Sequence, residues 1–253
     1  MVPYYAFIIY NTNNMNILEN VILASTMRAR ITGPLKLDEE LFRLFLSLPD
    51  DPLPGFRGAA PEVSGRGKDH PRYGRWMHAL VRFYRPDIVV EVGTNAGGSA
   101  VGTARGLFEN GKGRLVCVDG GLGVPCSFPD VARKNIIATG LGGDSIELIC
   151  ADSLAELPNI ARRLAGEVDI YLVDAAHTYE AALADIENGL PMMKNGGFIL
   201  VHDVDPKINL GTEASAEHPH PVLEAFQKVA RERKLEWCIL KFIRKHLGVL
   251  RVK

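Results

Sequence analysis

Acidic and imidazole side chains stand at the ends of the apolar segments of this sequence, where they could bind a cation or move a proton. Each one closes or follows a run of aliphatic, often β-branched residues that is typical of a buried parallel strand. In a parallel α/β sheet the ligand lies beyond the carboxyl ends of the strands, so these side chains are expected to meet there. The set comprises Glu91, Asp119, Asp152, Asp174, His202 and Asp203. Five carboxylates at one edge would repel one another unless a cation lay among them.

Asp174, His202 and Asp203 end two strands that we expect to be neighbours. A strand spacing of about 4.8 Å would bring their side chains into one coordination sphere. Two carboxylates with waters suit Mg²⁺, whereas the histidine admits Mn²⁺ or another transition ion. The alternative is that Asp174 orients a cofactor, while His202 and Asp203 contact only neighbouring loops.

His177 follows the fourth predicted strand by three residues and is the candidate general base. A histidine suits that role because it titrates near neutral pH. It could equally orient Asp174 or cap the helix that begins at Tyr179. His218 and His220, in the polar loop 204–220, are predicted to belong to a mobile lid rather than to a metal site.

The first element that must position these side chains is the segment Asp87–Ala100. An apolar strand, a glycine turn and a small-residue helix start form the opening of a doubly wound nucleotide-binding domain. Gly93 and Gly97 allow a sharp bend and a close approach to a ligand. The spacing is not the Gly-x-Gly-x-x-Gly of dinucleotide enzymes. Glu91, two residues before Gly93, disfavours a phosphate and suits a cationic ligand.

Two further strand ends offer contacts for a nucleoside. Asp119 closes the second strand and is placed to accept hydrogen bonds from a ribose diol, although it could also be a turn residue before Gly120. Asp152 and Ser153 follow the third strand. Asp152 either caps the next helix or contacts an adenine amino group.

Strands and helices alternate to the end of the sequence and predict a doubly wound, Rossmann-like α/β fold. We expect a mostly parallel sheet of seven strands with helices on both faces. Residues 1–70 are predicted to be an N-terminal extension of arm, helix and loop, and residues 71–253 to be the ligand-binding domain. The helix from Tyr179 to Met193 is predicted to end in a turn at Lys194–Gly197. The apolar run Val2–Tyr10 suits a homodimer contact.

Composition excludes several classes of protein. The formal net charge of −1 argues against a broad nucleic-acid surface. The four cysteines include no Cys-x-x-Cys pair, so neither a zinc site nor a disulfide framework is indicated. A reducing, cytoplasmic setting is therefore expected, and no apolar segment is long enough to span a membrane.

Residues 70 to 205, roughly, resemble the class I S-adenosylmethionine-dependent methyltransferases. The segment Glu91–Ser99 is similar to their first motif. Three further motifs follow in the expected order and spacing, namely Cys117–Asp119, Ala151–Ser153 and Val173–Tyr179. The continuation His177–Glu180 is most similar to a bacterial O-methyltransferase subgroup that is akin to cephalosporin hydroxylase-like and macrolide-sugar O-methyltransferase proteins.

The resemblance implies S-adenosylmethionine as cofactor, bound by the domain 71–253, and O-methylation of a hydroxyl on a small molecule or sugar. The implied cofactor-binding residues are Glu91, Gly93, Thr94, Asn95, Gly97, Ser99, Asp119, Gly120, Asp152, Ser153 and Asp174. The implied catalytic residues are His177 and Asp174. A divalent metal, Mg²⁺ or Mn²⁺, would be held by Asp174, His202 and Asp203, but His202 stands where metal-dependent relatives often have an acid.

Two other functions remain open. An NAD-dependent oxidoreductase is disfavoured by the missing Gly-x-Gly-x-x-Gly and by Glu91. A protein that binds the cofactor without catalysis is disfavoured by the full set of acidic strand ends.

Overall fold

A computed structural model describes residues 25–49, 70–120, 128–206, 215–243 and 246–253. The strands are β1 (Ile31–Thr32), β2 (Ile88–Val92), β3 (Arg114–Asp119), β4 (Ile146–Cys150), β5 (Val168–Val173), β6 (Met193–His202), β7 (Glu236–Leu240) and β8 (Leu247–Arg251). The helices are α1 (Glu39–Ser47), α2 (His70–Tyr84), α3 (Gly98–Asn110), α4 (Phe128–Ile137), α5 (Ser153–Arg163), α6 (Tyr179–Gly189) and α7 (Pro221–Glu232). None of these helices combines the length and the apolar character needed to traverse a bilayer.

The strands form one eight-stranded sheet in the order β1-β7-β8-β6-β5-β2-β3-β4. Strands β2 to β6 pair in parallel, whereas β8, β7 and β1 add antiparallel pairs at one end. The doubly wound, mostly parallel α/β fold is therefore confirmed. The sheet exceeds the expected seven strands because the short strand β1 pairs with β7. The order reverses between β2 and β5, and this switch point is where such sheets bind ligands.

Helices cover both faces of the sheet, which explains why β2 is buried along its whole length. On one face, α1, α2 and α3 pack over a core that includes Val89, Leu172 and Leu200. On the other face, α5, α6 and α7 pack over a core that includes Val90 and Val201. Successive strand residues alternate between these faces, so the sequence position of a strand-end residue decides which helices it meets.

Residues before α2 take part in the first of these cores. Phe42 and Phe45 of α1 pack on Trp76 of α2 with ring centroids 5.8 Å and 5.5 Å apart. Arg75 Nε donates to the main-chain oxygen of Phe45 at 2.6 Å and so ties the two helices together. The division of the chain at residue 70 stays a prediction. The predicted arm Val2–Tyr10 lies outside the described residues.

The turn expected at Lys194–Gly197 lies inside a strand instead. Helix α6 ends at Gly189, a 3₁₀ turn follows at Leu190–Met192, and β6 begins at Met193. Met193 already pairs with Val168, and the register then shifts before Phe198 pairs with Ile170. Residues 194–197 therefore form an irregularity within β6. The sequence pattern was misread because a glycine pair marks a bulge as readily as a helix end.

Cys150, the last residue of β4, is disulfide-bonded. The sequence analysis indicated no disulfide framework and did not predict this single bond. Cys117 and Cys238 are buried free thiols.

Candidate functional site

The glycine turn after β2 is shaped by two different constraints. Gly93 has φ +84°, and a Cβ atom there would lie 1.9 Å from the main-chain oxygen of Asp174. Gly97 begins α3 in the left-handed conformation, with φ +90°. A Cβ atom at Gly97 would meet its nearest neighbour, Ala132, only at 3.6 Å. Gly93 is thus required by packing against the end of β5, whereas Gly97 is required by backbone conformation alone.

Asp119 holds this turn from the neighbouring strand. Its Oδ2 atom accepts a hydrogen bond from the backbone N–H of Asn95 at 2.7 Å. Asn95 has φ +49°, a left-handed conformation that asparagine tolerates better than most residues. Asp119 is half-buried, and Gly120 after it is exposed. The sequence predicted that the glycine turn and the acid at the end of the second strand form one site. The two are in direct contact.

Glu91 is buried beneath the turn, with none of its surface exposed. Its Oε1 atom accepts a hydrogen bond from the Ser99 hydroxyl at 2.9 Å, while Oε2 has no partner among the described residues. Burial raises the pKa of Glu91 to about 8, and the charge of Asp174 adds to this while the hydrogen bond from Ser99 opposes it. The carboxyl therefore carries a proton at neutral pH. It can release that proton when a cation arrives.

Thr94 is buried in the same turn. Asp152 caps α5, because its Oδ1 atom accepts from the backbone N–H groups of Leu154 and Ala155 at 2.8 Å and 3.3 Å. The capping interpretation of Asp152 is therefore realised, and Ser153 is the first residue of the capped helix. A contact of either residue with an adenine stays a prediction.

Four ionisable side chains form a cluster beyond β5 and β6, made of Asp174, His177, His202 and Asp203. His177 Nε2 lies 2.8 Å from Asp203 Oδ2 and 3.8 Å from Asp174 Oδ1. His202 Nδ1 lies 3.1 Å from Asp174 Oδ1 and 3.3 Å from Asp203 Oδ1. We call this group the Asp–His cluster.

The backbone explains why His202 and Asp203 can both join the Asp–His cluster. Consecutive residues of a strand point to opposite faces of a sheet. Strand β6 ends at His202, and Asp203 then takes a left-handed conformation with φ +64°. That reversal turns the buried Asp203 carboxylate back toward His202 and His177. A strained residue of this kind is typical of functional sites.

The electrostatics of the Asp–His cluster favour charged forms of its members. Burial lowers the pKa of His177, but the neighbouring carboxylates of Asp174 and Asp203 outweigh it and raise the pKa to about 10. Burial would raise the pKa of Asp174, yet the neighbouring imidazoles of His202 and His177 bring it below its ordinary value. Burial also opposes ionisation of Asp203, and the hydrogen bond from His177 again prevails and lowers its pKa.

The donor atoms of the Asp–His cluster fit a divalent cation. One ligand atom each from Asp174, His177 and Asp203 lie within 4.8 Å of one another. Mixed oxygen and imidazole donors suit Mn²⁺ or another transition ion better than Mg²⁺. The structure groups the two acids with His177, while His202 also lies close to both. The ligand set Asp174, His202 and Asp203 stays a prediction.

Three residues near this edge were missed from the sequence. Tyr73 of α2 stacks on the His202 ring, with centroids 4.6 Å apart and planes at 13°. His246 Nε2 lies 3.4 Å from Asp205 Oδ2. His202 pairs with Leu247, so the β7–β8 hairpin delivers His246 beside the end of β6. The repeated acid in Asp203-Val204-Asp205 was a signal for Asp205, but nothing local to Tyr73 or His246 marked them.

The end of the loop 204–220 is anchored where the structure describes it. His218 stacks on Tyr179, with ring centroids 3.6 Å apart, and its Nδ1 atom lies 2.7 Å from Glu224 Oε2. The backbone N–H of His220 donates to Glu224 Oε1 at 3.0 Å. A mobile lid stays a prediction, because residues 207–214 lie outside the described part of the chain.

Comparisons with known proteins agree with this architecture. Residues 90–204 match a family model described as a methyltransferase domain. A protein of Mycobacterium sp. (strain KMS) named "Putative O-methyltransferase" is 28% identical over 139 residues, or 54% of this chain, and the chain spans only 58% of that relative. A protein of the same name from strain JLS is 27% identical over 173 residues, which are 68% of this chain and 73% of the relative.

A solved structure shares the fold over nearly the whole chain. The O-methyltransferase from Bacillus cereus in complex with SAH aligns with a TM-score of 0.58 and 19% identity. The alignment covers 94% of this chain and 100% of the other. At that level of identity the likeness shows the fold.

Proposed function

We propose that this chain, which carries a methyltransferase domain at residues 90–204, is an S-adenosylmethionine-dependent methyltransferase that acts on a hydroxyl of a small molecule. One observation carries the proposal. The main-chain oxygen of Asp174 packs against Gly93 of the cofactor turn, while the Asp174 carboxylate belongs to the Asp–His cluster. A cofactor on the turn would therefore lie directly beside groups that can bind an acceptor oxygen.

The residues around the turn fit the parts of S-adenosylmethionine. Asp119, at the end of β3, is placed to accept hydrogen bonds from the ribose hydroxyls. The Oε2 atom of buried Glu91, which meets no partner in the described ranges, offers an acceptor for the amino group. Gly97 allows the turn its left-handed conformation, with φ +90°, before α3 begins. Asp152 and Ser153, after β4, are proposed to lie near the adenine.

The bound cofactor supplies an electrophilic methyl group, and the chain must place the acceptor oxygen in line behind it. Asp203 holds the His177 imidazole at 2.8 Å, as a carboxylate orients the histidine of a catalytic pair. Asp174 and Asp203 raise the pKa of His177 to about 10 and keep it charged at neutral pH. We therefore propose that His177 takes the proton of the acceptor hydroxyl only once a cation holds the two carboxylates and lowers that pKa. Asp174 orients the same imidazole from 3.8 Å and borders the cofactor turn.

A divalent cation is part of the proposal for the Asp–His cluster. Asp174, His202 and Asp203 would hold it, and it would supply a Lewis acid that acidifies the acceptor hydroxyl. Titration of the purified protein with Mn²⁺ tests this by electron paramagnetic resonance. Binding of one ion that is weakened about tenfold or more by Asp203→Asn supports it. Equal binding by the wild type and Asp203→Asn would contradict it.

The acceptor is proposed to be a small molecule, with a sugar hydroxyl as the finer prediction. Incubation with methyl-labelled S-adenosylmethionine and a panel of sugars, phenols and polyols tests both statements. Transfer of label to a hydroxyl compound supports the proposal, and label found on amines or thiols alone would overturn O-methylation. The same assay with NAD⁺ in place of the methyl donor tests the oxidoreductase alternative.

The apolar run Val2–Tyr10 supports a homodimer. Light scattering on the full chain and on a variant lacking residues 1–10 measures this directly. A dimer that the truncation converts to a monomer is the expected result.

A further inference from the structure

The Tyr73 hydroxyl is buried without a hydrogen-bond partner among the described residues. Tyr73 lies in the first turns of α2 and is only 5% exposed. Within the described part of the chain, its Oη atom has no partner at hydrogen-bonding distance. Native proteins rarely keep a buried polar group unpaired, and one that persists usually meets a ligand, an ion or a water.

Tyr73 stands over the carboxyl edge of three neighbouring strands. Its ring is fixed by stacking on His202 at 4.6 Å. Helix α2 covers the sheet face of Val89, Leu172 and Leu200. Each of these residues precedes a site residue by two positions, so alternation directs Glu91, Asp174 and His202 to that same face. The phenol therefore faces the region between the cofactor turn and the Asp–His cluster.

The surroundings of the hydroxyl keep it a hydrogen-bond donor. Burial raises the pKa of Tyr73 well above its ordinary value, and the charges of Asp174, Glu91 and Asp203 raise it further. The phenol therefore remains protonated throughout the physiological range. It is a neutral donor among acids.

The proposed cofactor contains one group for which these acids are unsuited. Its amino group, sulfonium and ribose diol can each be matched by a carboxylate, but its own carboxylate needs a donor. The Ser99 hydroxyl, buried beside the turn, already donates its hydrogen to Glu91 Oε1 at 2.9 Å. Tyr73 Oη is a buried donor on this face whose hydrogen is not used by another described residue.

We propose that the Tyr73 hydroxyl donates a hydrogen bond to the carboxylate of the methionine end of S-adenosylmethionine, while Glu91 and Asp174 accept from its amino group. Tyr73 then recognises the amino-acid end of the cofactor and fixes it beside His202. This inference rests on the proposed function, since it presumes that cofactor.

The test compares two ligands and two variants by isothermal titration calorimetry. The ligands are S-adenosylhomocysteine and its decarboxylated analogue, which differ only in the carboxylate. Tyr73→Phe keeps the ring on His202 and removes the hydroxyl. We expect its affinity for S-adenosylhomocysteine to fall about tenfold or more, as for other bonds to charged groups. Its affinity for the decarboxylated analogue is expected to equal that of the wild type.

Tyr171→Phe is the matched control. Tyr171 is fully buried in the core of the opposite sheet face, and its hydroxyl donates to the main-chain oxygen of Asp185 at 3.0 Å. Its loss should lower the melting temperature and leave both affinities unchanged. Tyr73→Phe removes a hydroxyl that no described residue bonds, so it should melt at the wild-type temperature or above it.

Three outcomes would overturn the inference. If Tyr73→Phe and the wild type bind S-adenosylhomocysteine with equal affinity, Tyr73 makes no hydrogen bond to the cofactor. If Tyr73→Phe binds both ligands more weakly by the same factor, the hydroxyl does not recognise the carboxylate. A wild type that binds neither ligand contradicts the proposed function itself, and the inference with it.

Discussion

The main-chain oxygen of Asp174 occupies the space that a side chain at Gly93 would need, because a Cβ atom there would come within 1.9 Å of it. The two residues join β2 to β5 at the switch point of the sheet. Any change at Gly93 must therefore displace Asp174, and with it one corner of the Asp–His cluster.

Gly93→Ala is expected to lower the free energy of unfolding more than Gly97→Ala. Both glycines have positive φ, which costs a side-chain-bearing residue about 1–2 kcal/mol. Only at Gly93 would the added Cβ atom clash, since the nearest atom to a Cβ at Gly97 lies 3.6 Å away, in Ala132. Urea denaturation of the two variants measures the difference. Equal destabilisation would show that Asp174 does not pack on the turn in this way.

Binding of S-adenosylhomocysteine is expected to release a proton from Glu91. The buried Glu91 carboxyl is protonated below its pKa of about 8, and a bound amino group favours the carboxylate. Affinity should therefore rise from pH 6 to about pH 8 and then level off. Calorimetry in buffers of different ionisation enthalpy counts the released protons. Glu91→Gln should release fewer, and an unchanged count in that variant would rule out Glu91 as the source.

Asp185 is expected to make the fold less stable as pH rises. It is fully buried on α6, both carboxyl oxygens lack partners among the described residues, and burial raises its pKa to about 6. Because the folded pKa exceeds the unfolded value, the stabilisation is complete below about pH 4 and is lost as pH rises through about 6. Asp185→Asn should remove this loss, a difference of up to about 3 kcal/mol near pH 7.

Urea denaturation of the wild type and Asp185→Asn at pH 5 and pH 7.5 measures the effect. The variant should gain stability relative to the wild type at the higher pH. A constant difference across this range would mean that Asp185 is ionised in the folded protein at both pH values.

With a divalent cation bound to Asp174 and Asp203, which frees His177 to lose its proton, His177→Gln is expected to slow methyl transfer by about 10²- to 10⁴-fold, the usual contribution of a general base. Its affinity for S-adenosylhomocysteine should stay close to that of the wild type, because His177 contacts Asp203 and Asp174 rather than the cofactor turn. Steady-state kinetics and calorimetry on the same preparation separate the two effects. A variant with full activity would assign the proton transfer to another group.

The sequence predicted the elements that depend on local pattern. The strand, glycine turn and helix around Gly93 form as expected, and Asp119 meets the turn through Asn95. Both follow from the parallel sheet, which places successive strand ends at one edge. The edge strand β1 could not be predicted with equal ease. A two-residue strand has no periodicity of its own and depends on pairing with β7.

The side-chain geometry of the Asp–His cluster could not be predicted from the sequence. Because consecutive strand residues point to opposite faces of a sheet, the sequence predicts that His202 and Asp203 lie on opposite faces. The left-handed backbone at Asp203 instead places both side chains in the Asp–His cluster. Tyr73 was missed for a related reason. Its place over His202 depends on how α2 crosses the sheet, which no local pattern encodes.

The central claim is that a cofactor with a ribose and an amino-acid end binds at the turn held by Asp119. Calorimetric titration of S-adenosylhomocysteine into the wild type, Asp119→Ala and Asp144→Ala tests it most directly. Asp144 is an exposed acid just before β4, at the opposite end of that strand from the site, and serves as the matched control. We expect one-to-one binding by the wild type and Asp144→Ala, and an affinity about tenfold or more lower in Asp119→Ala. Wild-type binding that Asp119→Ala leaves unchanged, or no binding by the wild type, would contradict it.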